Sequence, residues 1–86
     1  MGMGLPDQPI ALTPPQIAEL HRQLTKMRHD INNHLSLVTA SLELVRYRPE
    51  KSERMLATVA EQPPRIAEAL LRFSAEFERA LGITAP

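Results

Sequence analysis

Residues 17–45 read IAELHRQLTKMRHDINNHLSLVTASLELV, and the spacing of their apolar side chains decides the fold. Every seventh position is apolar: Ile17, Leu24, Ile31, Val38 and Val45. Further apolar residues between them extend the same stripe: Leu20, Met27, Leu35 and Leu42. Such a repeat lines one side of a helix with apolar side chains, as in coiled coils and helical bundles. The stretch therefore predicts a long helix that packs against other helices.

Signals at both ends give this helix expected bounds of about 14–47. Thr13 can cap the first turn, two prolines follow it, and Gln16 lies where a capping-box partner belongs. Pro49 ends the pattern because proline disfavours helical geometry in the residue before it. Residues 1–12 contain two glycines and two prolines without periodicity, so they are predicted to form a flexible N-terminal segment.

A second apolar pattern predicts a second helix over about 52–81. It consists of two seven-residue rows: Leu56, Pro63, Leu70 and Phe77, and Val59, Ile66, Phe73 and Ala80. Gly82 is expected to cap the end of this helix, and residues 83–86 to form a tail. Two adjacent prolines remove two backbone donors in mid-helix, so a kink or short break is expected near 62–64.

The expected fold class is all-α, with residues 13–82 forming a two-helix antiparallel hairpin. The connection near 48–52 is short, which favours antiparallel neighbours. The first helix is apolar over more than one narrow seam, and one partner helix cannot cover that width. We therefore expect a homodimer, in which two hairpins form a four-helix bundle.

Composition excludes several functional classes. The chain of 86 residues has no cysteine, which removes disulfides, thiolate zinc sites and cysteine nucleophiles. No run approaches the roughly 18 apolar residues of a membrane span, and the N-terminus lacks the features of a signal peptide. Ten basic and ten acidic residues give no excess positive charge, and three aromatic side chains are too few for a base-stacking surface, so nucleic-acid binding is not expected. A cytoplasmic domain is the resulting expectation.

The strongest candidate site is the run Arg-His-Asp-Ile-Asn-Asn-His-Leu at residues 28–35. At about 100° per residue, His29 and Asn33 both lie about 160° from Ile31, on the solvent side of the helix. A neutral imidazole is a nucleophile near pH 7, and Asp30 is the candidate base that orients it. Asn33, one turn later, is a candidate for orienting water or contacting a phosphoryl group.

A less specific interpretation of the same run stays open. Exposed polar residues on a helix are usually only solvated, and Asp30 and His34, four apart, would then form a surface ion pair. Against this, aspartate and asparagine are mediocre helix formers, yet they occupy the middle of a long helix. Locally unfavourable choices of this kind are typical of functional sites.

The sequence resembles the dimerisation and histidine-phosphotransfer domain of two-component sensor kinases. The match is to the subgroup whose acceptor motif is His-Asp-x-Asn-Asn, here residues 29–33. Residues 70–74, Leu-Leu-Arg-Phe-Ser, are similar to the Leu-Leu-x-Phe-Ser ending of the second helix in that domain. The resemblance covers about residues 14–80. The run at 28–35 is also similar to that of sporulation-type phosphotransferases, which share the dimeric helical hairpin.

The resemblance implies roles for three residues. His29 would be the phosphorylated residue, Asp30 its acidic helper, and Asn33 a residue that supports dephosphorylation. The implied partner is a response-regulator receiver domain, whose aspartate and Mg²⁺ take the phosphoryl group. His34 stands where many of these kinases have a proline, which puts the usual bend of the first helix in question.

The resemblance is limited to the phosphotransfer part of a histidine kinase. No nucleotide-binding domain is recognisable in the 86 residues, so no cofactor is expected on this chain. ATP and Mg²⁺ are implied on a separate kinase catalytic ATPase domain. The sequence leaves open whether the module is free-standing or belongs to a larger kinase.

Two further hypotheses compete with phosphotransfer. One is a purely structural helical dimerisation domain, in which the motif has no chemical role. The other is a metal site formed by His21, His29 and His34. The last two are five apart, about 140° around the helix, and cannot meet on one face, so no metal site is expected.

Overall fold

The computed structural model describes residues 4–83, which form two long antiparallel helices. Helix α1 spans Pro14–Tyr47, helix α2 spans Ser52–Leu81, and one 3₁₀ turn, Pro49–Lys51, joins them. The expected all-α two-helix hairpin is therefore confirmed. Of the two terminal segments, residues 1–3 and 84–86 lie outside the described residues, and no helix precedes Pro14 within the described range 4–13.

The start of α1 is the capping box that the sequence predicts. The Gln16 backbone N–H donates to the Thr13 hydroxyl at 3.3 Å, and the Thr13 N–H donates to the Gln16 side-chain oxygen at 2.8 Å. Thr13 itself is extended, with φ −75° and ψ 156°. Two N–H groups that the helix start would leave without partners are thereby satisfied.

The end of α2 is the glycine cap that the sequence predicts. Gly82 adopts φ 68°, a left-handed conformation that costs glycine little because it has no Cβ. Its N–H donates to the carbonyl of Arg79 at 3.3 Å, and the Ile83 N–H donates to that of Glu78 at 2.8 Å. This pair of bonds is the Schellman motif, which satisfies the last carbonyls of a helix.

The two prolines of α2 do not interrupt it. Pro63 and Pro64 both lie inside the continuous helix Ser52–Leu81, so the alternative of a short break is wrong. Both prolines are exposed, and each leaves one carbonyl of the preceding turn without its helical donor. The kink expected at 62–64 stays a prediction.

The hairpin is a single layer, one helix thick. Its extents are 59 × 32 × 12 Å, and the shortest matches the diameter of one helix. Among the described residues no hydrophobic side chain is buried. The accessible surface is 6766 Å², roughly 1,600 Å² above the value of about 5,100 Å² expected for a compact 9.7 kDa monomer. An extended hairpin with this much exposed apolar surface is consistent with oligomerisation.

The two broad faces of the layer differ in chemistry. One, the ion-pair face, carries five largely exposed pairs between residues three or four apart in the same helix: Glu19–Arg22, Lys26–Asp30, Glu61–Arg65, Glu68–Arg72 and Glu76–Arg79. Residues of these ion pairs from both helices line one groove between α1 and α2, which shows that the pairs of the two helices lie on the same side of the layer.

The opposite face of the layer, the apolar face, is defined by helical projection from the same groove. On α1 it carries Ile17, Leu24, Ile31, Leu35 and Leu42, and on α2 it carries Leu56, Val59, Pro63, Leu70 and Phe77. Six of these ten residues are exposed large hydrophobic residues: Ile17, Leu35, Leu42, Leu56, Leu70 and Phe77. Pro63 is exposed as well. The segregation leaves one face that water solvates well and one that it does not.

Polar side chains, by contrast, are buried between the helices. Gln62 is 1% exposed and Ser41 is 2% exposed, and they are the only buried residues in the described part of the chain. The Gln62 amide donates to the Thr58 carbonyl at 2.8 Å, and its Oε1 lies 2.8 Å from His34 Nδ1. Because Oε1 can only accept, His34 Nδ1 carries the proton in this bond. This bond links the two helices, five residues after His29.

We predict that Gln62→Ala destabilises the hairpin by about 1–3 kcal/mol, because it leaves the His34 N–H without its acceptor. In a double-mutant cycle with His34→Ala, the coupling should be about 1 kcal/mol. Urea unfolding at one fixed protein concentration measures both quantities. Gln23→Ala is the control, since that amide bonds only to Glu19 of its own helix. Strict additivity in the cycle would contradict the role of the bond.

Candidate functional site

His29 lies at the outer edge of α1, on the side away from α2. It is exposed, and it lines a shallow groove with five other residues of the same helix: Ala18, His21, Arg22, Thr25 and Lys26. No hydrogen bond or ion pair joins its ring to another residue in the described part of the chain. Its position in the middle of a 34-residue helix gives the ring a rigid base and an open approach.

Asp30 is bonded to Lys26 and not to His29. Lys26 Nζ lies 2.8 Å from Asp30 Oδ2, while the Asp30 side chain is 34% exposed. The hydrogen bond from Lys26 lowers the pKa of Asp30 and outweighs the opposing effect of burial, so the carboxylate is ionised at neutral pH. Among the described residues, no hydrogen bond connects Asp30 to the imidazole next to it in sequence. Its role as the acidic helper stays a prediction.

Asn33 is exposed and lies one turn after His29. Helical projection turns it toward the ion-pair face, next to Asp30. Its amide forms no hydrogen bond with any residue in the range 4–83, so both its donor and its acceptor groups are available. The site therefore presents a free imidazole, a free amide and an ionised carboxylate within about one turn of helix.

His34 does not belong to the outer groove. Its ring is half-buried against α2 and donates to Gln62, and Asp30 has Lys26 as its partner. The surface ion pair between Asp30 and His34 considered above is therefore wrong. The physical reason is that His34 lies on the side of α1 that faces α2, where a buried amide oxygen competes for its N–H.

Sequence reasoning missed the pairing of His34 with Gln62. A signal was available in the spacing: Met27, His34 and Ser41 are seven apart on α1, and Met55, Gln62 and Ala69 are seven apart on α2. His34 and Gln62 are each the middle residue of their row. Two polar side chains at matching positions in the facing rows of two helices are candidates for a hydrogen bond across the interface.

A second groove runs between the helices on the ion-pair face. It has a volume of about 330 Å³ and is lined by Arg22, Gln23, Lys26, Met27, Asp30, Ala69, Arg72, Phe73 and Glu76. Most of its charges already have ion-pair partners within their own helices. Arg22 and Lys26 line both this groove and the one that contains His29, so they stand on the ridge between the two.

The described residues form neither a metal centre nor a helix that could span a membrane. No group of three or more His, Cys, Asp or Glu side chains within residues 4–83 is placed to hold a metal ion. No helix in that range is both long and apolar enough to cross a bilayer.

Comparison with known proteins adds no relative. No protein-family model matches this chain, and no curated protein or solved structure matches it significantly.

We predict that Lys26→Gln raises the pKa of Asp30 toward the usual range of aspartate, because Lys26 is the main cause of its lowered pKa. A lowered pKa in the folded state means that the pair stabilises α1 above the pKa of unfolded aspartate. That stabilisation is lost as the pH falls through the lowered pKa. A ¹³C NMR titration of the Asp30 carboxyl carbon measures the change directly.

The matched control for this titration is Lys51→Gln. Lys26 and Lys51 are the only lysines in the chain. Lys51 lies in the 3₁₀ turn after the end of α1, 21 residues from Asp30 in sequence. It should leave the pKa of Asp30 unchanged. An Asp30 titration that does not move in Lys26→Gln would show that the ion pair is not formed in solution.

Proposed function

We propose that this chain is a histidine phosphoacceptor and phosphotransfer module of a two-component signalling system. His29 carries the phosphoryl group and exchanges it with the aspartate of a response-regulator receiver domain. One observation carries the proposal: His29 is exposed in mid-helix, with the ionised Asp30 and the Asn33 amide within a turn, and neither the imidazole nor that amide forms a hydrogen bond with any residue from 4 to 83. The resemblance at residues 28–35 supports the same conclusion.

The chemistry needs little more than access and charge neutralisation. In transfer to the receiver, its aspartate attacks phosphorus, a P–O bond forms, and the P–N bond at His29 breaks. The imidazole nitrogen keeps the electron pair of that bond and takes up a proton. Phosphoryl transfer depends mainly on positioning and on cations near the phosphoryl oxygens, and in this pair the Mg²⁺ belongs to the receiver. An exposed ring on a rigid helix allows in-line approach.

The proposal includes a homodimer formed through the apolar face. A second copy that covers this face completes a four-helix bundle and buries the side chains that one hairpin leaves in water. The excess surface of roughly 1,600 Å² per chain is within the range that stable homodimers bury per subunit. His29 lies at the outer edge of α1, so this assembly leaves it accessible.

The receiver would dock on the ion-pair face beside His29. A stripe at helical spacing leads from the site toward the hairpin turn on that face: Asn33, Leu37, Ala40 and Leu44. Leu37 and Leu44 are large apolar side chains that stay exposed after the apolar face is covered. Exposed apolar residues next to a reactive group are suited to hold a partner that must bring its own aspartate to His29.

The phosphoryl donor is a separate domain in this proposal. Either a histidine-kinase catalytic domain with ATP and Mg²⁺ or a phosphorylated receiver can fill that role. These partners also define the compartment that we propose, the cytoplasm.

We predict that the wild-type chain acquires acid-labile phosphate when it is incubated with a panel of phosphorylated receivers, or with kinase catalytic domains, ATP and Mg²⁺. His29→Gln should abolish the labelling, because glutamine has no nucleophilic ring nitrogen. His21→Gln, which changes another histidine of the same groove, should keep it. Equal labelling of His29→Gln, or none in the wild type, would leave the structural dimerisation domain as the better explanation.

Two adjacent leucines test the dimer. Leu70 lies on the apolar face and is 46% exposed, while Leu71 points outward from α2 and is 72% exposed. We predict that Leu70→Glu weakens dimerisation roughly a hundredfold or more, because the new carboxylate is buried without a partner. Leu71→Glu should leave the dissociation constant unchanged. Sedimentation equilibrium measures both, and equal effects of the two substitutions would contradict the assigned face.

A further inference from the structure

Lys26 is placed to interact with both His29 and Asp30. It lies three residues before the first and four before the second, so both are its neighbours on the helix surface. Its Nζ donates to Asp30 Oδ2 at 2.8 Å, and its side chain lines the groove that contains His29. It also lines the groove between the helices that contains Asp30. No other lysine lies on α1.

The pair between Lys26 and Asp30 is open to exchange. The Lys26 side chain is largely exposed, and exposed ion pairs are weak because water and salt screen them. A lysine ammonium is a compact charge on a flexible stem, with three donors that can turn to another acceptor. A phosphoryl group on His29 would bring close to two negative charges and three strong acceptor oxygens beside it. That group competes well against one carboxylate.

We propose that Lys26 is a positioning residue for phosphoryl transfer, which pairs with Asp30 in the unmodified chain and with the phosphoryl group when His29 carries it. This inference rests on the proposed function of His29. In the unmodified state the Asp30 carboxylate is engaged by Lys26. In the phosphorylated state its ammonium neutralises the phosphoryl oxygens, and the Asp30 carboxylate is released. Lys26 thereby links the modification of His29 to the availability of Asp30.

Arg22 is a weaker candidate for the same role. It lines the same two grooves, but it lies seven residues before His29 and forms a two-donor bond with Glu19 at 2.6 and 2.9 Å. That pairing raises the pKa of Arg22 and, together with a hydrogen bond from Gln23, lowers the pKa of Glu19 to about 2. A guanidinium held by two bonds is less free to move to a new anion than a lysine held by one.

Chemical phosphorylation tests the inference without a receiver or a kinase. Phosphoramidate gives its phosphoryl group to a histidine ring: a P–N bond to the ring forms, the P–N bond of the reagent breaks, and ammonia leaves. Mass spectrometry then compares labelling of His29 with that of His21 in the same chain. His21 is an internal reference, because it lies five residues before Lys26 and too far around the helix to share its ammonium.

We expect Lys26→Gln to lower the ratio of His29 to His21 labelling about three- to tenfold, and Lys26→Arg to restore most of it. Lys51→Gln should leave the ratio unchanged. Transfer from phosphorylated His29 to a receiver should slow by a similar factor in Lys26→Gln. Circular dichroism and dimerisation should be unaffected, which separates positioning from a structural effect.

The outcomes distinguish this inference from the proposed function. If wild-type His29 exchanges phosphoryl with a receiver while Lys26→Gln labels and transfers at the wild-type rate, the role of Lys26 is wrong and the function stands. If none of the receivers or kinase domains tested exchanges a phosphoryl group with the wild type, the proposed function itself is wrong. A ¹³C titration should also show the pKa of Asp30 rising on phosphorylation by more in the wild type than in Lys26→Gln. Equal rises would refute the exchange of partners.

Discussion

The structure depends on one constraint: two helices cannot bury the apolar side chains that this sequence places on them. The hairpin is 12 Å thick, so every residue that does not face the other helix faces solvent. Within residues 4–83 no hydrophobic side chain is buried, and the two residues that are buried are polar. Burial of apolar surface is the main driving force of folding. The large exposed apolar surface of the hairpin is therefore consistent with stabilisation by oligomerisation.

In the proposed dimer, the separation of the two faces determines where the copies associate and which surface stays free. The five ion pairs within the helices lie on one face, and the longest apolar rows lie on the other. Covering the apolar face leaves the charged pairs in water, where they cost nothing to keep, and leaves the outer edge of α1 open. His29 lies on that edge, beside Lys26. The assembly that completes the core is thus compatible with a site that a partner must reach.

The bond between His34 and Gln62 affects a different property, the register of the two helices. A slide of one helix along the other would leave the buried Gln62 oxygen and the half-buried His34 N–H without partners, which is costly. Because Gln62 also donates to the Thr58 carbonyl, its side chain is held from both sides. The pair lies within five residues of His29, so it fixes the part of α1 that carries the candidate site.

Local signals in the sequence determined the elements of this protein. The Thr13 capping box, Gly82, and the heptad rows are short-range patterns, and they predict two helices and their outward-facing His29 and Asn33, because helix geometry depends on neighbours within one or two turns. Helical spacing makes Lys26 and Asp30 neighbours, but only the tertiary structure decided that Asp30 pairs with Lys26 and not with His34, that His34 donates to Gln62, and that the ion pairs of both helices share one face. Those outcomes depend on competition between side chains and on how α2 packs against α1, which the spacing within one helix does not settle by itself.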